Sequence, residues 1–259
     1  TYGYETNKVE SDTYTINFNS NAGANNITKL DGIDYYVDVL SYTYTTSTVS
    51  SSLYTANLIF QGSNTISGNT DIDNGNIQLN GEVTFEGSIE SGSINVGTTG
   101  IGNFNTVSGT TSSDIVFSGD GIANLNNGLT GNVTTNTVNT GTLNLVGSNN
   151  QTVTGTVGST NVLKDVNSGV TGTTSTFNGT VNSQNVTNTG SGTTIFQDDV
   201  TATNVNVNAG TSTFQDNLSA ITTTITTGIG NFNTVSGTTS SNIVFSGDGI
   251  ANLNNGLTG

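Results

Sequence analysis

Residues 175–220 read STFNGTVNSQNVTNTGSGTTIFQDDVTATNVNVNAGTSTFQDNLSA, and their spacing decides the fold. Phe177, Phe196 and Phe214 stand 19 and 18 residues apart, and Phe232 follows after another 18. Four residues after a Phe comes an aliphatic residue (Val181, Val200, Leu218), and nine after comes Val186, Val205 or Thr223. Phe85 and Phe104 are 19 apart, and Ile89 and Ile94 stand in the same relative places after Phe85. Turn-forming residues lie between, as in FNGT, FQDD and FQDN. Short β-branched runs bounded by Gly, Asn, Asp and Ser read as strands separated by turns. No 3.6-residue apolar stripe of useful length is present, so helix is not expected. A strand–turn unit recurring every 18–19 residues predicts the rungs of a β-solenoid, stacked about 4.8 Å apart. Like residues then form ladders along the axis, Phe on Phe and Val on Val.

A longer repeat encloses the short one. Residues 98–131 and 226–259 are the same 34-residue sequence with one difference, Asp114 against Asn242, at an offset of 128 residues. A compact domain cannot be lengthened in this way without losing its core, whereas in a solenoid each rung touches only its neighbours. At that rung length the unit is roughly seven rungs, or about 34 Å of shaft. The expectation is a processed or excised piece of a longer protein that carries further copies. The fold class expected is all-β, a parallel solenoid over residues 60–259, preceded by a β-rich region at 1–59. That first region holds all eight Tyr and two of the three Lys, Lys8 and Lys29. Alternation in DYYVDVLSYTYTTSTV puts Tyr42 and Tyr44 on one strand face. Such a face could stack on glycans; the favoured reading is a cap over an open sheet edge, or irregular first rungs.

Composition narrows the function classes. The chain of 259 residues has three Lys, no Arg, His, Cys, Trp, Met or Pro, 34 Gly, 8% charged residues and a net charge of −15. Without Cys there is no disulfide framework or thiolate chemistry. Without His or Arg, the commonest general base and the bidentate anion clamp are missing. Three Lys against 18 acids offer no basic surface for nucleic acid, and no apolar run is long enough for a helical membrane span. A hydrophobic content of 31% fits a narrow ladder core that needs few apolar residues per rung.

Four features resemble chemistry and are read otherwise. Asp198 and Asp199 are adjacent, and paired carboxylates can serve as acid and base. Asp216 follows Phe214 as Asp198 follows Phe196, which makes these Asp residues part of the repeat's turn. SGDGIANLNNG, with Asp120 and Asp248, offers oxygens for calcium but has neither the nonapeptide period nor the EF-hand loop pattern. The sequons at Asn132 and Asn185 are chance products of an Asn- and Thr-rich chain. AITTTITTG (220–228) is similar to the Thr arrays of ice-binding solenoids, but Asn, Val and Ser stand at the equivalent places on other rungs. No residue is assigned a catalytic, cofactor-binding or metal-binding role, and no cofactor is expected.

The stretch 175–220, together with GTVGSTNVLKDVNSG (155–169), resembles the passenger region of type V autotransporters, in particular rickettsial surface cell antigens and outer-membrane-protein B-type proteins. The likeness covers about residues 60–259 and rests on composition and rung pattern. It implies a right-handed parallel β-helix displayed on the bacterial surface. The function expected is therefore a non-catalytic extracellular surface protein, an adhesin-like passenger or shaft. A self-assembling surface-layer or filament subunit is the second reading, and a carbohydrate-active β-helix enzyme or tail spike the third. The partners expected are other copies of the chain, or host and cell-surface receptors.

Overall fold

The structure, a computed structural model, describes residues 57–71 and 75–258, together with four earlier strands, Tyr14–Thr15, Asp34–Asp38, Tyr42–Tyr44 and Thr48–Ser50. Every secondary-structure element among them is a strand, and the strands pair in parallel. The chain winds through about ten turns of a β-solenoid. Each turn lays strand on three faces. The first face runs through Asn64–Ile66, Glu82–Phe85, Ile101–Phe104, Ile122–Leu125, Thr140–Leu145 and Leu163–Ser168, and then through residues 185–188, 204–207, 222–225 and 242–245. The second runs through Leu129–Thr130, Gln151–Val153, Thr174–Phe177, Thr193–Phe196, Thr211–Phe214, Ile229–Phe232 and Ile250–Leu253. The third carries Asn57–Gln61, Asn76–Leu79, Val133–Thr135, Val157 and the starts of the strands at Val181, Val200 and Leu218.

Alternation explains why a chain so poor in apolar residues has a core. Thr193–Phe196, Thr211–Phe214 and Ile229–Phe232 share one pattern, with the second and fourth residues buried. Side chains alternate across a strand, so each short strand turns one small or polar residue and one Phe inward. Phe177, Phe196, Phe214 and Phe232 stack in one column, with centroids 5.1, 5.0 and 5.4 Å apart and rings within 9° of parallel. The aliphatic residues placed four and nine after Phe are buried as well: Ile89, Val181, Val200 and Leu218, then Ile94, Val186 and Val205. Burying each such side chain is worth about 1.5–3 kcal/mol. Thr223, the exception in sequence, is also buried, and its hydroxyl pairs with that of Ser241 at 2.8 Å.

Two expectations change in detail. Rungs are not uniformly 18–19 residues. The register advances by 18 from Asn204 to Thr222 but by 23 from Thr142 to Asp165. Nor do the Phe residues form a single column. Phe85 and Phe104 stack on each other at 5.7 Å, but they stand on the first face, above which come Leu125 and Leu145. The Phe177 column is on the second face and continues downward through Val153 and Leu129. The longer rungs between residues 122 and 185 absorb the difference.

The same shift governs the long repeat. Six register steps carry Ile101 to Thr222 on the first face, and Ile229 then falls on the second. The offset of 128 residues is thus six turns and one face, short of seven rungs. Both copies nevertheless form the same strands: Ile101–Phe104, Thr111–Phe117, Ile122–Leu125 and Leu129–Thr130 match Ile229–Phe232, Thr239–Phe245, Ile250–Leu253 and Leu257–Thr258. The segment therefore fixes its own turns and accepts whichever face lies beneath it. Parallel ladders make this possible, because their evenly spaced hydrogen bonds offer the same edge on every face.

The Tyr-rich reading of residues 1–59 falls mostly outside the described residues. Of that region, Asp34–Asp38 pairs in parallel with Asn57–Gln61, and Tyr42–Tyr44 with Asn64–Ile66.

Candidate functional site

Three carboxylates come together on one corner of the shaft. Asp198 and Asp199 occupy the turn between Phe196 and Val200, and Asp216 sits in the equivalent turn one rung on; one oxygen from each lies within 4.8 Å of the others. The turns employ these groups locally. Asp198 Oδ1 accepts the Asp199 N–H at 2.8 Å. Asp199 Oδ1 accepts from the Asn217 N–H at 3.2 Å and from Asn217 Nδ2 at 2.8 Å. A hard cation such as calcium takes about six to eight oxygen ligands, and these turns gather three carboxylates. Asp120, the other acid weighed from sequence, is exposed and lies 3.4 Å from Lys164 Nζ. A surface pair of this kind contributes about 0–1 kcal/mol. Its counterpart Asp248 is exposed too.

The outward polar groups are largely engaged along the axis. On the first face Asn124 donates to Asn103, Asn144 to Asn124 and Asn167 to Asn144, each Nδ2 to Oδ1 at 2.8 Å. Asn103 ends the ladder on Glu82 and Thr84. A second ladder on that face joins Asn204 to Asn185 and Asn185 to Asp165, both at 2.9 Å. The sequon residues are caught in the same network, Asn185 in this ladder and Asn132 between Asp114 and Thr156.

The Thr run alternates between inside and outside, with Thr223 buried and Thr222 and Thr224 facing out. A short Thr rank does exist elsewhere, on the second face. There Thr174, Thr193 and Thr211 are in register, and beside them stand Thr176, Ile195 and Thr213. Ile195 interrupts it, and Ile229 and Asn231 end it on the next rung.

Sequence reading missed a buried polar corner. Asn105 and Asn233, the residues after Phe in the two copies of IGNFN, are fully buried at a φ of 54°. Asn105 donates to the Gly87 carbonyl at 2.7 Å and accepts the Thr111 hydroxyl at 2.7 Å. Asn233 donates to the Asp216 carbonyl at 2.9 Å and accepts the Thr239 hydroxyl. Asn tolerates the left-handed region better than other residues with a Cβ, and here its amide also closes the loop. The loop so anchored carries an exposed valine at its tip, Val107 or Val235. The usable signal was the Asn retained in both copies, but an Asn after Phe reads first as an ordinary turn.

No family model matches the chain, and no match was found among the curated proteins or the solved structures compared with it.

Proposed function

We propose that this chain is a length of non-catalytic shaft, a repetitive protein displayed outside the cell in the manner of an autotransporter passenger. One observation carries the reading: the outward Asn, Asp and Thr groups are bonded to their counterparts on the next rung, along the axis, over most of the first face. Catalytic and small-molecule sites instead aim a few polar groups at one point. The interior holds stacked rings and aliphatic side chains, which give stiffness to a thin rod. A chain without Cys or Met has no sulfur to oxidise, which suits life outside a reducing cytoplasm.

The test has two arms. Antibody labelling and protease shaving of intact source cells should reach the chain without lysis. Purified protein should turn over neither pectin, peptidoglycan nor host glycans, and Asp198→Asn with Asp199→Asn should leave fold and surface labelling unchanged. Labelling only after lysis would refute the location. Turnover abolished by that double substitution would replace the shaft with a carbohydrate-active β-helix.

A further inference from the structure

The last strand edge of the described shaft repeats an edge that is covered elsewhere in the same chain. Residues 242–258 match residues 114–130 in sequence apart from Asn242 for Asp114. In the first copy Phe117, Leu125 and Leu129 are at most 1% exposed. In the second, Phe245, Leu253 and Leu257 are 53%, 44% and 45% exposed. What buries the first set is the coil at residues 132–157. Its backbone donates from Asn136 to the Phe117 carbonyl at 2.8 Å, from Val146 to that of Leu125 at 2.8 Å, and from Thr154 to that of Leu129 at 3.0 Å. Its apolar residues fall in register, Val133 on Ile115, Leu143 on Ala123, Leu145 on Leu125 and Val153 on Leu129. Its polar residues match as well: Asn144 donates to Asn124, and the Asn132 N–H donates to Asp114 Oδ1. Asn242 keeps an oxygen at the corresponding place.

We infer that the edge formed by residues 242–258 is a docking surface for one unpaired β-coil with the chemistry of residues 132–157. The complement is read from the molecule, because the same surface already carries it once. The step of one face between the copies does not change the fit, since the segment holds the same strands on either face. A coil taken from inside a second folded copy cannot serve. There Val133–Thr135 is paired on one edge with Thr111–Phe117, and Val133 bridges Val157 on the other. The occupant is therefore a free coil that brings N–H donors and an inward Val and Leu series at the spacing of Val133, Leu143, Leu145 and Val153. This inference does not depend on the surface role proposed above, because a shaft found inside the cell would take the same coil.

The probe is a labelled synthetic peptide of residues 132–157 titrated onto the 259-residue chain, with a scrambled peptide of equal composition as control. Saturable binding is expected, along with a melting temperature that rises with peptide concentration, as for any ligand that binds only the folded state. Leu253→Asp removes one apolar seat and should weaken binding roughly tenfold or more. Phe245→Ser is a second variant at the same edge, should Leu253→Asp disturb the last coil by circular dichroism. Binding no tighter than the scrambled peptide, or unaffected by both substitutions, would overturn the inference. So would sedimentation showing this edge already taken by a second whole chain, in a dimer that Leu253→Asp dissociates.

Discussion

Replacing Phe196 with alanine opens the middle of the ring column. Phe196 is buried and stacks on Phe177 at 5.1 Å and on Phe214 at 5.0 Å. Truncating a buried Phe to Ala costs about 3–5 kcal/mol, and each well-placed ring pair accounts for about 0.5–1.5 kcal/mol of such a loss. With a ring on both sides, Phe196→Ala belongs at the upper end, about 4–5 kcal/mol. A whole domain is stable by only about 5–15 kcal/mol. In a solenoid the loss falls on the two interfaces that flank the rung, because stability is a sum of rung and nearest-neighbour terms. Urea unfolding should therefore split into two transitions. Amide hydrogen exchange should show the rungs beyond Val200 opening before those between Asn76 and Ser168. Phe196→Leu keeps most of the apolar volume and loses the rings, so it should cost about 1–2 kcal/mol. The reasoning fails if Phe196→Ala costs less than about 1 kcal/mol, or if the Leu and Ala variants are equally destabilised.

Deleting residues 101–228 should leave a folded β-protein, since residues 229–259 then inherit the seat of the first copy on residues 82–96. Far-UV circular dichroism should be retained, and small-angle scattering should show a rod shorter by about 30 Å at the usual strand spacing. Thr223→Val strands the buried Ser241 hydroxyl and should cost about 1–3 kcal/mol; adding Ser241→Ala should recover part of it, as a double-mutant cycle would measure. Asn233→Ala loses both amide bonds of the buried corner and leaves a Cβ at positive φ, for a total of about 3 kcal/mol. Asn233→Gly should be milder by about 1 kcal/mol in the same denaturation assay, because it relieves the backbone term alone.

The solenoid was legible because Phe177, Phe196, Phe214 and Phe232 recur at nearly constant spacing with aliphatic residues at fixed distances behind them. The same spacing concealed the change of face. Between Phe117 and Phe177 no ring marks the rungs. The inward places there belong to Leu125, Leu145 and Val153, which resemble other aliphatic residues of the chain. The rung lengths drift just where the marker is absent, so counting residues gave seven rungs where the chain makes six and one face. Asp198, Asp199 and Asp216 were legible as turn residues because Asp198 and Asp216 recur at the same place after Phe. Asn105 and Thr223 were not legible as core. Each is a polar residue whose burial depends on a partner in another strand, Thr111 for the first and Ser241 for the second. A single sequence does not display such partners.

The step of one face has a genetic consequence. Two stretches of 34 nearly identical residues are natural sites for unequal recombination, which would remove or add one unit at a time. Each event would lengthen or shorten the rod without breaking its core, and would also turn everything beyond the junction by a third of a revolution. A binding strip that ran straight along one side would be cut by every such event. What survives is a feature repeated within each unit and indifferent to azimuth, as the anchored Val107 and Val235 loops are. Selection acting on copy number would then favour a rod with no front or back.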